Sequence, residues 1–231
     1  MKPATVATLL DAAASRRSVV FAKRLSDGAE YILPDPSADP ALNELGIAVL
    51  ATGKTGTHII ADEPWFIEAR HPAPRLAIVG AVHIAQSLAP VAAMAGFAVI
   101  VIDPRTSFGS PSRFPTADQI INDWPDGALD SLRLDDTTAV VVLTHDPKLD
   151  DPALACALRS GAFYIGALGS RKSHAKRLER LESLGFAAAE LQRIHGPVGL
   201  RIGAVSAGEI AISIISEIIA VRRNGDLGKR A

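Results

Sequence analysis

Ile78-Val79-Gly80-Ala81-Val82-His83-Ile84-Ala85 is the stretch on which the fold turns. An apolar run over residues 76–79 meets a glycine, and an amphipathic segment begins at once. A strand that passes into a helix through glycine is the setting of the G-x-G-x-x-G/A dinucleotide turn. There the first glycine makes the turn, the second lets backbone approach a pyrophosphate, and the third position lets helix and strand pack closely. Gly80 and Ala85 fit the first and third places, while Val82 stands in the second, where its branched side chain is expected to hinder standard NAD docking. Asp103 ends the next apolar run roughly twenty residues on, where an acidic residue commonly holds ribose hydroxyls, and Arg105 follows as a cation for phosphate. Taken alone, Gly80 could simply turn the chain and Asp103 could open an Asp-Pro turn.

Outward from this stretch, apolar runs at 76–79, 98–102, 139–143 and 163–165 alternate with amphipathic segments. Continuous apolar strands alternating with helices indicate a parallel sheet covered on both faces. Ile84, Leu88, Val91 and Ala95 give one helical stripe that ends at Gly96, with Pro90 expected to kink it. Gln119–Ile121 reads as a further strand, which places the 139–143 strand beside the first in a Rossmann order. Residues 1–72 read as a small α/β domain with helices near 6–14 and 41–50 and short strands between and after them. His71-Pro-Ala-Pro74 is a stiff connector, and residues 73–231 form the Rossmann-like domain.

Two more loops carry chemistry. The 139–143 strand empties into Thr144-His145-Asp146-Pro147, which in this order borders the crevice opposite Gly80; each residue also suits an ordinary surface turn. Gly166-Ala-Leu-Gly169-Ser170-Arg171-Lys172-Ser173 opens a helix with Ser170 as N-cap, an apolar seam of His174, Leu178, Leu181 and Leu184, and Gly185 as its stop. Arg171 and Lys172 crowd the positive end of that helix dipole, which costs about 0.3–1 kcal/mol each unless an anion binds there. Lys176, Arg177 and Arg180 read as a solvated face.

Other features narrow the field. The 231 residues carry a net charge of -1, so attraction to a nucleic acid backbone would have to be local. One cysteine, Cys156, excludes an internal disulfide and fits a reducing compartment, the cytoplasm. No basic leader with an apolar core opens the sequence, and no apolar run nears the roughly 18 residues of a membrane span. Cys156 lies in an expected helix over 152–159 without a cationic cluster, the setting of a buried small residue. Ser206-Ala-Gly-Glu209 matches a capping box ahead of an isoleucine-rich helix on which Ser213 and Glu217 mark a polar stripe. The six histidines are scattered, so no protein-bound metal is expected, and neither a Gly-x-Ser-x-Gly elbow nor a P-loop is present.

Gly80-Ala-Val-His-Ile-Ala85, Val101-Ile-Asp-Pro-Arg105, Thr144-His-Asp-Pro147, Phe163-Tyr-Ile-Gly-Ala-Leu-Gly-Ser-Arg-Lys172 and Ile194-His-Gly-Pro-Val-Gly-Leu200 together resemble the XdhC/CoxF family of molybdenum-cofactor accessory proteins, over residues 75–221. The resemblance implies a chaperone that binds molybdenum cofactor, as molybdopterin or its cytosine dinucleotide form. Such a chaperone shields the cofactor and passes it to a xanthine-dehydrogenase-type molybdoenzyme, often beside a cysteine desulfurase. It further implies that the cofactor's phosphate or dinucleotide part lies among Gly80, Ala81, Val82 and His83; Asp103 and Arg105; Thr144, His145 and Asp146; and Gly169, Ser170, Arg171 and Lys172. Asp103 or Arg105 would orient sugar or phosphate, and His83 and His145 would donate hydrogen bonds from opposite walls. Larger members carry an N-terminal Ser-Gly-Gly-Cys-Val-Glu type motif that this sequence lacks, which suggests work beside a complementary family member. The apolar content leaves room for a homodimer. The rival readings are an NAD(P)-dependent oxidoreductase and a degenerate Rossmann scaffold that binds only protein.

Overall fold

A computed structural model describes residues 1–223. Contacts divide the chain into two units, the first Met1–Pro72 and the second beginning at Ala73. In the first, α1 (Pro3–Ala14), β1 (Val19–Arg24), β2 (Glu30–Leu33), α2 (Pro40–Thr52), β3 (Gly56–Ile60) and β4 (Glu63–Arg70) form a helix-backed antiparallel sheet in the order β2-β1-β4-β3. Val20, Ala22, Leu33, Leu42, Val49, Trp65 and Ile67 are its core. Asp39 caps α2 by accepting from the Ala41 N–H, and Gly53 closes it in a left-handed conformation.

The second unit runs β5 (Arg75–Val79), α3 (His83–Met94), β6 (Ala98–Ile102), β7 (Gln119–Ile121), α4 (Pro125–Ser131), β8 (Thr138–Val142), α5 (Pro147–Arg159), β9 (Tyr164–Ala167), α6 (Arg171–Ser183), α7 (Ala188–Leu191), β10 (Ile194–His195) and α8 (Ala207–Arg222). Its parallel sheet has the order β10-β9-β8-β5-β6-β7. The chain first winds outward from β5 to β7, then returns to β8 on the other side of β5. That reversal makes a topological switch point between β5 and β8, where open α/β sheets bind ligands at their carboxyl ends.

Alternation along the strands shows why both faces must be covered. Leu76, Ile78, Val99, Val101, Ala139 and Val141 face α3 and α8, which pack on each other. Ala77, Val79, Ile100, Ile102, Val140 and Val142 face the layer of α4, α5, α6 and α7. Every residue of β5 and β8 is buried, as a central parallel strand requires. The helix α3 continues through Pro90, which lies on its exposed side. No helix among the described residues is long and apolar enough to cross a membrane.

Three helices differ from the expectation. The α5 helix starts at Pro147, not 152, because Asp146 caps it by accepting from the Lys148 N–H and Pro147 suits the first helical position. The α6 helix ends at Ser183, so Leu184 is its C-cap and 58% exposed instead of part of the seam. The polar stripe of α8 is inside the protein, since Ser213 and Glu217 are buried. The capping box at its start forms as expected: the Ser206 Oγ accepts from the Glu209 N–H, and the Glu209 carboxylate accepts from the Ser206 N–H.

Candidate functional site

The Gly80 turn is built to fit against its neighbours. Its φ of +100° lies in the region that side chains disfavour, and a Cβ there would overlap the Thr144 methyl. The turn is also tied to β6: the Gly80 N–H donates to the Ile102 carbonyl at 2.8 Å, and the Ala81 N–H donates to Asp103 Oδ2 at 2.8 Å. Val82 follows as the N-cap of α3 and supplies no side-chain cap, nor does the first turn hold an acidic residue. The α5 and α6 starts, by contrast, are capped by Asp146 and Ser170. The N–H groups at the start of α3 therefore have the electrostatics for an anion without a competing side-chain oxygen.

Asp103 is fully enclosed, and both of its oxygens have partners within the protein. Oδ2 takes the Ala81 N–H and Arg105 Nη2, and Oδ1 takes the Arg105 N–H and Nε at 2.9 Å each. Burial works to raise its pKa, but these hydrogen bonds and the Arg105 charge outweigh it and hold the carboxyl below its usual range. Through these bonds Asp103 staples the turn and Arg105 to the end of β6. The Arg105 side chain remains 44% exposed and lies 4.1 Å from the Phe108 ring centroid.

From Thr144 a buried chain of polar contacts leads across the sheet edge. Its methyl abuts Gly80, its hydroxyl bonds Asp150, and Arg177 Nη2 reaches both Asp150 Oδ2 at 3.1 Å and the Leu168 carbonyl at 2.8 Å. Arg177, read from sequence as solvated, is only 3% exposed, because α6 turns that side toward α5 and the end of β9. Its Nε and Nη1 have no hydrogen-bond partner among the described residues. Burial is the largest influence on Asp150 and pushes its carboxyl up, against the Thr144 and Arg177 hydrogen bonds. Lys176 is exposed as expected, and the Arg180 side chain, 38% exposed, pairs with Asp151.

The remaining sequence-derived residues lie at the rim. His83 opens α3 and is exposed, as are His145 and Asp146, the latter engaged in capping α5. Ser170 accepts from the Ser173 N–H, leaving Arg171 and Lys172 exposed in the first turn of α6. Gly80 with Thr144, Ala81 with Asp103, and Asp103 with Arg105 are in direct contact, and the Arg177 chain joins them to the Leu168–Gly169 end of β9.

Sequence reasoning did not single out the hollow beyond that end. A cleft of about 1110 Å³ is lined by Gly169, Arg171, the 195–204 segment and the α8 residues Ile210, Ser213 and Glu217. On its wall the His195 ring stacks on Tyr164 with centroids 4.6 Å apart, and its Nδ1 lies 3.4 Å from Glu217 Oε1. Glu217 Oε2 also accepts from the Tyr164 hydroxyl at 2.5 Å and the Gly199 N–H at 2.8 Å. Burial works to raise the Glu217 pKa, but bonds from His195, Tyr164 and Gly199 overcome it and keep the carboxyl below its usual range. Burial, then the Glu217 charge, drives the Tyr164 hydroxyl well above its ordinary value. The string from Ile194 to Leu200 was visible, but β10 has two residues, too few for any periodicity to reveal.

Cys156 sits elsewhere, in a hollow between α4 and α5, with its Sγ 3.0 Å from Asp130 Oδ1. Burial, reinforced by that carboxylate, pushes the thiol up to about 12. Alkylation by iodoacetamide at pH 8 should therefore run at least about 100-fold slower in the native protein than in urea-unfolded chain, since the thiolate is the nucleophile. Equal rates followed by mass spectrometry would show a thiol that the fold neither shields nor raises.

Residues 76–218 match the family described as the XdhC Rossmann domain. The chain is 38% identical over 158 residues to a Bacillus subtilis (strain 168) protein named as a probable xanthine dehydrogenase subunit, covering 68% of this chain and 46% of that protein. It is 32% identical over 184 residues to the molybdenum cofactor insertion chaperone PaoD of Escherichia coli (strain K12), covering 80% of this chain and 50% of PaoD. The chain thus spans half or less of these relatives' length. Among solved structures, one described as a xanthine dehydrogenase from Bacillus halodurans aligns with a TM-score of 0.73 and 26% identity, over 96% of this chain and 65% of that one.

Proposed function

This chain belongs to the XdhC family, and from that premise and the geometry of its sheet edge we propose that it is a molybdenum-cofactor chaperone. In this reading it binds the cofactor, as molybdopterin or its cytosine dinucleotide form, and delivers it to a xanthine-dehydrogenase-type hydroxylase. The observation that carries the reading is the Gly80 turn at the switch point, rigidly held against Thr144 and followed by a helix start free of any side-chain cap. Such a turn offers backbone N–H groups to a phosphate. Arg105, Arg171 and Lys172 supply cations around it, and Thr144 and Gly169 keep the approach close. The name of PaoD supports the same cargo, and that of the Bacillus subtilis protein supports the link to xanthine dehydrogenase. A cysteine desulfurase, a complementary family member and a second copy of the chain are the partners this role would call for.

An NAD(P)-dependent oxidoreductase fits less well. It needs an acidic residue open to the ribose, and Asp103 has both oxygens engaged and no exposed surface.

Co-expression with cofactor biosynthesis, followed by purification and assay of oxidised-pterin fluorescence, tests the proposal. Pterin approaching one equivalent per chain is the expected result; none in any preparation would refute it. Parallel thermal-shift titrations with NADH and cytidine nucleotides separate the rival, because only a ligand of the native state raises the midpoint.

A further inference from the structure

We propose that the cleft bounded by Arg171, His195 and Arg201 is the seat of the cofactor's heterocycle, with His195 Nε2 accepting a hydrogen bond from the ring system and the two arginines meeting its anionic groups. The inference rests on the chaperone reading and adds to it a second half of the site, on the β10 side of the sheet, that the Gly80 loops do not include.

The first argument is the imidazole. His195 has little freedom: Tyr164 stacks on one face, and Glu217 Oε1 faces Nδ1 at 3.4 Å. Glu217 is itself fixed through Oε2 by the Tyr164 hydroxyl and the Gly199 N–H, so an ionised carboxylate stands behind the ring with Oε1 toward Nδ1. A carboxylate at one ring nitrogen places the proton there and leaves the other bare. In neutral His195 that is Nδ1–H, and Nε2 is the polar atom left for the cleft, into which the 27% exposed side chain opens. An acceptor fixed in this way matches a ring N–H donor, which pterins carry.

The second argument is charge. Arg171 and Arg201 both line the cleft, are both exposed, and have no carboxylate partner among the described residues. Unpaired arginines suit phosphate and other oxyanions through forked donation. Arg171 also opens α6 beside Gly169, so a phosphate held there lies at the junction between this cleft and the Gly80 loops.

The third is shape and surroundings. Leu168, Val198, Leu200, Ile202 and Ile210 supply apolar surface, and a volume of about 1110 Å³ holds a ligand larger than a bare anion. Gly199 brings the segment close to α8: at φ +95° a Cβ would overlap Ser213 Oγ. The cleft floor is thus set by backbone, and its polar groups are few and placed, the pattern of a small-molecule site.

The test compares pterin-loaded wild type, Arg201→Ala, His195→Gln and, as a surface control, Lys176→Ala, each first shown to keep its urea midpoint. Release of pterin into excess buffer is followed by fluorescence, and imidazole nitrogen resonances are compared between loaded and empty wild-type protein. Release about tenfold faster in both cleft variants, wild-type behaviour in the control, and a shift of the His195 Nε2 signal on loading are expected, the size of one charge-assisted hydrogen bond. If wild type carries pterin but both cleft variants release it at the wild-type rate, the heterocycle lies elsewhere and the chaperone reading stands. Wild type without any pterin overturns both. Should His195→Gln fail to fold, Arg201→Ala, in an exposed loop, decides by the same criterion.

Discussion

Gly80→Ala is expected to purify without pterin and to unfold at markedly lower urea concentration. Two costs combine at this position. A side chain at φ +100° strains the backbone by about 1–3 kcal/mol. The added methyl overlaps the Thr144 side chain, and crowding of this kind in a packed interior costs a further 1–3 kcal/mol or so. Relief would require moving Thr144, whose hydroxyl is engaged with Asp150, or pulling the turn off the Ile102 carbonyl and Asp103. Urea unfolding with an unchanged m-value and a fall of roughly 2–6 kcal/mol measures the combined cost. A variant with the wild-type midpoint and full pterin content would show that the turn neither needs a glycine nor faces the cargo.

Arg177→Met should rank beside it for a different reason. Removing one member of a buried ion pair leaves the other charge uncompensated, at about 3–5 kcal/mol. Asp150 would be that charge. Its folded pKa is already raised by burial, so its ionisation opposes folding: stability is fully present below the unfolded carboxyl pKa and is lost as pH rises through the folded value. Without Arg177 that loss deepens, so the variant's deficit should be smallest in acid and grow as pH climbs through the raised pKa. Adding Asp150→Leu should recover much of it, because an apolar pair of similar volume removes the buried charge. Urea midpoints across the pH range test both statements; a deficit independent of pH would mean the lost contacts were those of shape alone.

The contrast between Arg177 and the sheet shows what sequence conveys. The strand at Ala98–Ile102, and the place of β8 beside β5, follow from β-branched runs whose burial on both faces calls for apolar residues at nearly every position, while the edge strand Gln119–Ile121, with Gln119 exposed, is marked only by its isoleucine pair. The capping boundaries at Ser170 and Ser206 were legible because a hydroxyl and its partner lie three residues apart. Arg177 follows His174 by three and precedes Leu181 by four, so helical spacing put it on the inner stripe while its charge argued for water. Its partner, Asp150, is distant in sequence, and the pairing that decides between those arguments is not local. The same holds for the candidate site. Gly80, Thr144 and Gly169 could be read as loop ends, but that Asp103 would turn inward depended on Arg105 folding back over it. The cleft required Glu217, on α8, to meet His195, on the two-residue strand β10.

The inward turn of Asp103 bears on kinetics as well as on shape. A loop anchored by its own side chains to the neighbouring strand is organised before any guest arrives, so capture involves little freezing of a wandering segment, and the enthalpy of contact goes largely into grip. In the proposed chaperone role, a rigid berth means that unloading has to come from the receiver's competing embrace and not from the berth falling slack.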